Sequence, residues 1–255
     1  MDRAPILTGA KRWVILAVVT LAVLTAGSCS NGPAVRVLFI GNSYTASNNL
    51  PAMVADLADA PGRSIEHEVR APGGWWWRDH AASTETIELI AGGDWDFVVL
   101  QEQSMVTSLS SMAERESRPA AVTLALRAVQ NGAQPVLFMT WGHRGGNSEV
   151  GHDSYESMQA AIGETYREIG GAVAGRVAPV GYAWWLTRIQ TPDIDLYQAD
   201  GSHPSLAGTY LAAAVIAGTI LEVDPIEMDR SLGLDDGVAE ALRGFASRAL
   251  AGEKP

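Results

Sequence analysis

Cysteine, lysine and positive charge are scarce in this 255-residue sequence. A single cysteine excludes a disulfide framework and any multi-cysteine zinc or iron–sulfur site. There are two lysines, and 18 Lys and Arg against 29 Asp and Glu give a formal net charge of −11. Because a nucleic-acid binder needs a basic face, we expect no nucleic-acid partner. With 47% hydrophobic residues, the chain is too apolar for a disordered protein and can bury a large core.

The first 28 residues are predicted to be a secretory signal peptide. Arg3, Lys11 and Arg12 precede a 14-residue apolar run, which small residues follow. The run is shorter than the ~20 residues that a membrane-spanning helix needs. The segment that ends at Cys29 resembles a bacterial lipoprotein lipobox, with Ala26 where that motif usually has Leu. Lipidation of Cys29 is therefore predicted; ordinary signal cleavage, which would leave a free thiol, is the alternative.

The rest of the sequence alternates short apolar runs with segments of helical spacing. The runs, rich in β-branched and aromatic residues, predict strands at 36–40, 64–69, 96–100, 135–139 and 176–180. Helical spacing predicts helices at 49–60, 81–91, 119–129, 154–169, 206–221 and 237–250. Pro179 in the fifth run favours a strand at or near an edge. We therefore expect a linker at 29–35 and one α/β domain with a five-stranded parallel sheet at 36–255.

Polar side chains follow the predicted strand ends. Ser43 comes after the first strand, and Asp200 and His203 lie near the last part of the sheet. Ligands of parallel sheets bind outside the carboxyl ends of the strands, so these side chains are expected to meet there. An imidazole can take the proton of a serine hydroxyl, and a carboxylate fixes the tautomer of that imidazole. Alone, Ser43 could cap a helix and Asp200 and His203 could be a loop pair; together they favour catalysis.

The order of these residues resembles the SGNH (GDSL-like) hydrolases. IGNSY at 40–44 is similar to the first block of the family, with Asn42 where Asp is usual. DGSHP at 200–204 matches the last block, Asp-x-x-His-Pro. Gly74 falls at the oxyanion glycine of the second block. The third block, usually Gly-x-Asn-Asp, is here QEQS, which places Gln103 at the oxyanion asparagine.

The resemblance covers about residues 36 to 222. It implies a flavodoxin-like three-layer α/β/α sandwich and ester hydrolysis without a metal or another cofactor. It also implies a catalytic triad of Ser43, Asp200 and His203. The oxyanion hole would then consist of Ser43, Gly74 and Gln103.

Tryptophan and histidine residues near the strand ends have two interpretations. Flat indole faces suit sugar rings or acyl chains, so Trp75, Trp76, Trp77 and Trp141 are predicted to bind substrate. Trp184 and Trp185, which follow the fifth predicted strand, are interpreted as packing residues. The other histidines fit no metal-binding spacing and are interpreted as surface or loop residues: His80, His143 and His152, the last beside Asp153. Glu102 is interpreted as a possible solvent-facing charge.

The leading functional hypothesis is an exported serine esterase that removes acetyl or other short acyl groups from a small-molecule or carbohydrate ester. The protein would be secreted, or bound to the outer side of a bacterial membrane only through lipid on Cys29. A non-catalytic surface glycan-binding protein with a degraded site is one alternative. An O-acyltransferase that uses the same triad is another, because only the acceptor differs.

Overall fold

The computed structural model describes Met1, residues 34–60 and residues 63–255. The predicted signal peptide and Cys29 lie outside the described residues. Within the described part of the chain, no helix has the length and apolar character needed to cross a bilayer.

Five parallel strands form one sheet in the order β2-β1-β3-β4-β5. They are β1 (Val35–Ile40), β2 (Ile65–Arg70), β3 (Phe97–Leu100), β4 (Gln134–Phe138) and β5 (Arg176–Ala178). This strand order is that of flavodoxin-like doubly wound sheets. The predicted fold class is thus confirmed. β5 lies at an edge, as expected, but it ends before Pro179 instead of continuing to residue 180.

The described residues also form eleven α-helical segments, several of them a single turn. They are α1 (Ser43–Ala46), α2 (Leu50–Ala58), α3 (Trp77–Ala82), α4 (Thr84–Gly92), α5 (Ser104–Ser108), α6 (Ser110–Met112), α7 (Arg118–Gln130), α8 (Tyr155–Val173), α9 (Val180–Gln190), α10 (Leu206–Leu221) and α11 (Asp236–Leu250). A π-helical turn, Ala113–Ser117, joins α6 to α7.

Helices cover both faces of the sheet. Successive side chains of a strand point to opposite faces, and β1 shows it: Val37 and Phe39 belong to one hydrophobic cluster, Leu38 and Ile40 to the other. The first cluster includes side chains of α2, α9, α10 and α11, and the second includes side chains of α3, α4, α7 and α8. A strand buried on both faces is expected to be apolar, as residues 37–40 of β1 are.

The predicted helix at 81–91 is wrong in one respect, because two helices occupy this region. The backbone of Ser83 is extended between α3 and α4, and its hydroxyl accepts a hydrogen bond from the Thr86 N–H. Serine is a favoured N-cap, and this cap begins a new helix where the hydrophobic spacing suggested a continuous one.

Candidate active site

Ser43 lies at the carboxyl end of β1, as the first residue of α1. The strand leaves the sheet through Gly41, where an added Cβ would lie 2.3 Å from Thr45 Oγ1 and 2.5 Å from Gln101 Oε1. A larger residue here would have to displace the Thr45 hydroxyl and the Gln101 amide oxygen, which are hydrogen-bonded to each other. The side chain of Asn42 accepts a hydrogen bond from the Tyr44 N–H at 3.1 Å and so caps α1.

His203 lies between Ser43 and Asp200. Its Nδ1 is 2.6 Å from Asp200 Oδ2, and its Nε2 is 2.9 Å from Ser43 Oγ. Asp200 Oδ1 accepts hydrogen bonds from the backbone N–H groups of Ser202 and His203, both at 2.9 Å. Hydrogen bonds lower the pKa of Asp200 to about 2. The bond from the Ser202 N–H has the largest effect, and the bond to the His203 imidazole comes next. Because Asp200 is ionised, Nδ1 carries the proton, and Nε2 of the neutral ring is free to accept the proton of Ser43.

Stacked aromatic rings support the imidazole. The ring of Tyr44 meets His203 edge-on at 5.4 Å and stacks on Trp141 at 4.8 Å. Trp141 in turn stacks on Trp184 at 3.9 Å, and its Nε1 donates to the Ser202 carbonyl oxygen at 3.0 Å. Trp141 is completely buried. The prediction that Trp141 binds substrate is therefore wrong: both of its faces are covered by other rings, and its role is packing behind the site.

The three consecutive tryptophans divide between core and surface. Trp77 is completely buried and meets the ring of Tyr166 edge-on at 5.7 Å, so the prediction that it binds substrate is also wrong. It begins α3, whose inner face packs on the sheet. Trp75 and Trp76 are half-buried, and substrate contact by these two stays a prediction.

The second loop of the site contains Gly74. Its φ of +75° lies in the left-handed region that favours glycine. It is exposed, and its N–H donates no hydrogen bond to the described residues. Asn42 Nδ2 fastens this loop to the first by donating to the Trp75 carbonyl oxygen at 3.0 Å.

The third loop, which follows β3, differs most from expectation. Gln101 is buried, and its Oε1 accepts from the Asn42 N–H and the Thr45 hydroxyl. Glu102 is completely buried, so its interpretation as a solvent-facing charge is wrong. Gln103 Oε1 caps α5 by accepting from the N–H groups of Met105 and Val106, at 2.6 and 3.1 Å. Within the described ranges Gln103 Nε2 donates no hydrogen bond, and its oxyanion role stays a prediction.

The histidines outside the triad have different surroundings. His80 is buried, which contradicts its interpretation as a surface or loop residue. Burial lowers the pKa of His80, which favours the neutral ring. Its Nε2 donates to the Gly41 carbonyl oxygen at 2.8 Å, and this bond stabilises the turn before Ser43. His143 is half-buried; burial lowers its pKa, while the nearby charge of Asp200 raises it. His152 bonds Ser157 and the Ser108 carbonyl.

This arrangement can generate a nucleophile at Ser43. An imidazole that bonds a carboxylate on one side and a hydroxyl on the other can remove the hydroxyl proton and later return it to a leaving group. The N–H group of Ser43 at the start of α1 and the exposed N–H of Gly74 are suitable donors for a developing oxyanion.

The sequence matches no family model and no curated protein, but solved structures do match. A candidate SGNH hydrolase from Slackia heliotrinireducens is 33% identical, covers 74% of this chain and 100% of its own length, and superposes with a TM-score of 0.63.

Two more distant structures share the fold. A DUF4886 family protein from Bacteroides uniformis is 16% identical over 86% of this chain and 95% of its own, with a TM-score of 0.71. An acetylxylan esterase from Geobacillus stearothermophilus is 18% identical over 74% and 95%, with a TM-score of 0.56. The Slackia relative is similar enough in sequence to show more than the fold. The chain belongs to the SGNH hydrolases.

Proposed function

We propose that this SGNH hydrolase is a serine esterase that removes short acyl groups, acetyl above all, from carbohydrate. The observation that carries the proposal is the hydrogen-bonded chain from Asp200 through His203 to Ser43, with distances of 2.6 and 2.9 Å.

The reaction would proceed through an acyl-enzyme. His203 Nε2 takes the Ser43 proton while Oγ attacks the ester carbonyl carbon, and the N–H groups of Ser43 and Gly74 and the Gln103 amide stabilise the oxyanion. Collapse breaks the bond to the alcohol oxygen, which leaves with the proton from His203. Water, deprotonated by His203, then attacks the acyl carbon and releases the acid and Ser43.

Two features support a carbohydrate as the alcohol. Trp75 and Trp76 leave part of their indole surfaces exposed next to Gly74, and indoles stack well on sugar rings. An open cavity of about 520 Å³, with His143, Asn147 and Asp153 among its lining residues, offers polar partners for hydroxyl groups. The N–H of Arg144, the residue after His143, donates to the carbonyl oxygen of Gly201, the residue after Asp200, at 2.8 Å, so the cavity lies beside the loop of Asp200. The similar fold of an acetylxylan esterase agrees with this choice.

An ester panel tests the proposal. Purified protein is assayed with p-nitrophenyl acetate, butyrate and octanoate and with acetylated xylo-oligosaccharides, beside Ser43→Ala as the control. We expect the hydrolysis rate to fall as the acyl chain lengthens, acetate to be released from the xylo-oligosaccharides, and both activities to disappear in Ser43→Ala. Equal rates in the two proteins would refute the triad. Glycan binding without turnover would favour a binding protein, and acyl transfer to an added sugar in preference to water would indicate an acyltransferase.

We also propose that the protein is exported and carries lipid on Cys29. The basic residues, the apolar run and the cysteine that follows support this. In fractionated bacteria, wild-type protein should be found with membranes, and Cys29→Ala should release it to the soluble fraction. Wild-type protein that is already soluble outside the cytoplasm would contradict lipidation.

A further inference from the structure

Glu102 joins the two loops that carry the candidate oxyanion donors. Its Oε1 accepts hydrogen bonds from the Trp77 N–H at 3.0 Å and from the Gln103 N–H at 2.8 Å. Trp77 is three residues after Gly74, at the start of α3, and Gln103 is the N-cap of α5. One carboxylate oxygen therefore fixes the position of both loops.

The other carboxylate oxygen of Glu102 has fewer hydrogen bonds. Oε2 is buried and, within the described residues, has no hydrogen-bond partner of good geometry; the same is true of Ser117 Oγ. Ser117 ends the π-helical turn Ala113–Ser117 and lies close enough to lower the pKa of the carboxyl group. π-Helical turns are rare and often occur at functional sites.

The groups that face Glu102 come from several elements, and no arginine or lysine in the described part of the chain forms an ion pair with it. Trp77 and Asp79 belong to α3, Ser117 to the π-helical turn and Tyr166 to α8. Tyr166 accepts a hydrogen bond from the Glu102 N–H at 3.1 Å. Burying a charged carboxylate without a cation lowers the stability of the fold. The charge of Glu102 is therefore not explained by a contribution to stability.

Burial raises the pKa of Glu102 to about 7, although the N–H groups of Gln103 and Trp77 and the Ser117 hydroxyl act to lower it. The nearby charge of Asp79 raises it further. The side chain therefore changes between its neutral and its charged form near neutral pH. A charged acceptor binds N–H groups about twice as strongly as a neutral one.

We propose that ionised Glu102 is a positioning residue that holds the Gly74 and Gln103 loops where their donors reach the oxyanion. This inference rests on the proposed esterase function. Glu102 does not touch the substrate; it acts through the two N–H groups that it binds.

The first test compares Glu102→Gln with Glu88→Gln, the same change at an exposed glutamate of α4. Glutamine can accept both N–H bonds but carries no charge. We expect Glu102→Gln to lower kcat about 10-fold with KM within about twofold, while Glu88→Gln matches the wild type. Protonated Glu102 in the wild type resembles glutamine, so the two proteins should have similar kcat below about pH 6 and should differ about 10-fold above about pH 8.

The second test needs no turnover. The amide signals of Trp77 and Gln103 are followed by NMR while pH varies. In wild type both should shift with a common midpoint near 7, and in Glu102→Gln neither should. Ser117→Ala should move that midpoint upward, because a group that lowers the pKa is lost.

The outcomes separate the two proposals. Wild-type kcat in Glu102→Gln, a difference in kcat that does not change with pH, or wild-type amides that do not titrate, would overturn the role of Glu102. If the wild type hydrolyses no ester but the amides titrate as expected, the esterase proposal fails while the link between the two loops stands. Should Glu102→Gln not fold, the wild-type NMR titration still decides.

Discussion

The side-chain amide of Asn42 connects the helix of the candidate nucleophile to the neighbouring loop. Its Nδ2 donates to the Trp75 carbonyl oxygen at 3.0 Å, while its Oδ1 accepts from the Tyr44 N–H at 3.1 Å. A single amide thus caps the helix of Ser43 and holds the loop of Gly74. Aspartate, usual at this place in related first blocks, could cap the helix but has no proton for the carbonyl.

Replacing Asn42 with Asp should therefore reduce activity although it restores the usual residue. The cap would stay, while a carboxylate oxygen would face the Trp75 carbonyl. We expect kcat/KM for an acetyl ester to fall about 10-fold, since a partly buried carbonyl that loses its donor costs ~1 kcal/mol or more. Asn42→Ala should lose the cap as well and melt lower. An Asn42→Asp enzyme as active as wild type would show that this bond does not position the loop.

Ser43 and His203 are expected to act as one unit. Each alanine variant alone should abolish nearly all ester hydrolysis, and the double variant should lose little more, because a general base is useless without its nucleophile. Rates of all three are measured with the same chromogenic acetyl ester. Losses that multiply would indicate independent roles.

The two ends of the Gln103 amide can be tested separately. Gln103→Glu keeps an oxygen for the N–H groups of Met105 and Val106 but removes the donor, so its melting temperature should stay near that of wild type. Its kcat should fall ~10²-fold or more if Nε2 stabilises the oxyanion. Gln103→Ala should lose both the rate and ~1 kcal/mol of stability through the missing cap. Undiminished turnover in Gln103→Glu would leave the residue with capping alone.

Trp141→Phe tests the packing behind His203. Phenylalanine keeps a ring between Tyr44 and Trp184 but removes the donor to the Ser202 carbonyl, 3.0 Å away. We expect lower kcat, unchanged KM and a loss of ~1–3 kcal/mol in unfolding free energy. Trp76→Ala, at a half-buried surface position, should instead raise KM with little change in stability. A raised KM in Trp141→Phe alone would contradict a packing role.

The stability of the protein should depend on pH through Glu102. Its pKa is raised from 4.5 to about 7 in the fold, so the folded state binds its proton more tightly than the unfolded chain. The stabilisation that the protonated Glu102 carboxyl group gives the fold is fully present below pH 4.5, the pKa of this group in the unfolded chain. It is lost as pH rises to about 7. The loss amounts to roughly 3 kcal/mol at ~1.4 kcal/mol for each pKa unit.

Denaturant unfolding of wild type and Glu102→Gln from pH 4.5 to pH 8 checks this sign. Relative to wild type, Glu102→Gln should gain stability as pH rises towards 7 and then gain no more. A difference between the two proteins that is constant with pH would contradict the raised pKa. The charge proposed to organise the site is thus expected to reduce the stability of the fold.

The sheet was predictable from the sequence because buried parallel strands are continuous apolar runs, and such runs precede Gly41 and Gln101. The rule that parallel strands end at one edge placed Ser43 there, and the resemblance of DGSHP to the last family block added Asp200 and His203. Both inferences need only local patterns and one topological rule.

Burial of single residues could not be predicted in the same way. Glu102 lies in the polar segment QEQS, and the groups that surround it come from α3, the π-helical turn and α8. Trp77 follows two other tryptophans, and only the start of α3 decides that it faces the core. His80 is buried by its contact with Gly41, 39 residues earlier. These surroundings exist only in the folded chain.

Ser43 and His203 are 160 residues apart, so Ser43 is synthesised and leaves the ribosome long before His203 does. The helix that follows His203 almost at once, α10, is buried along nearly its whole length and packs against α2, α9 and α11. We therefore expect the imidazole to reach the serine only when α10 has docked. A nascent or unfolded chain would contain an ordinary serine hydroxyl, and the reactivity proposed for Ser43 would exist only in the folded protein.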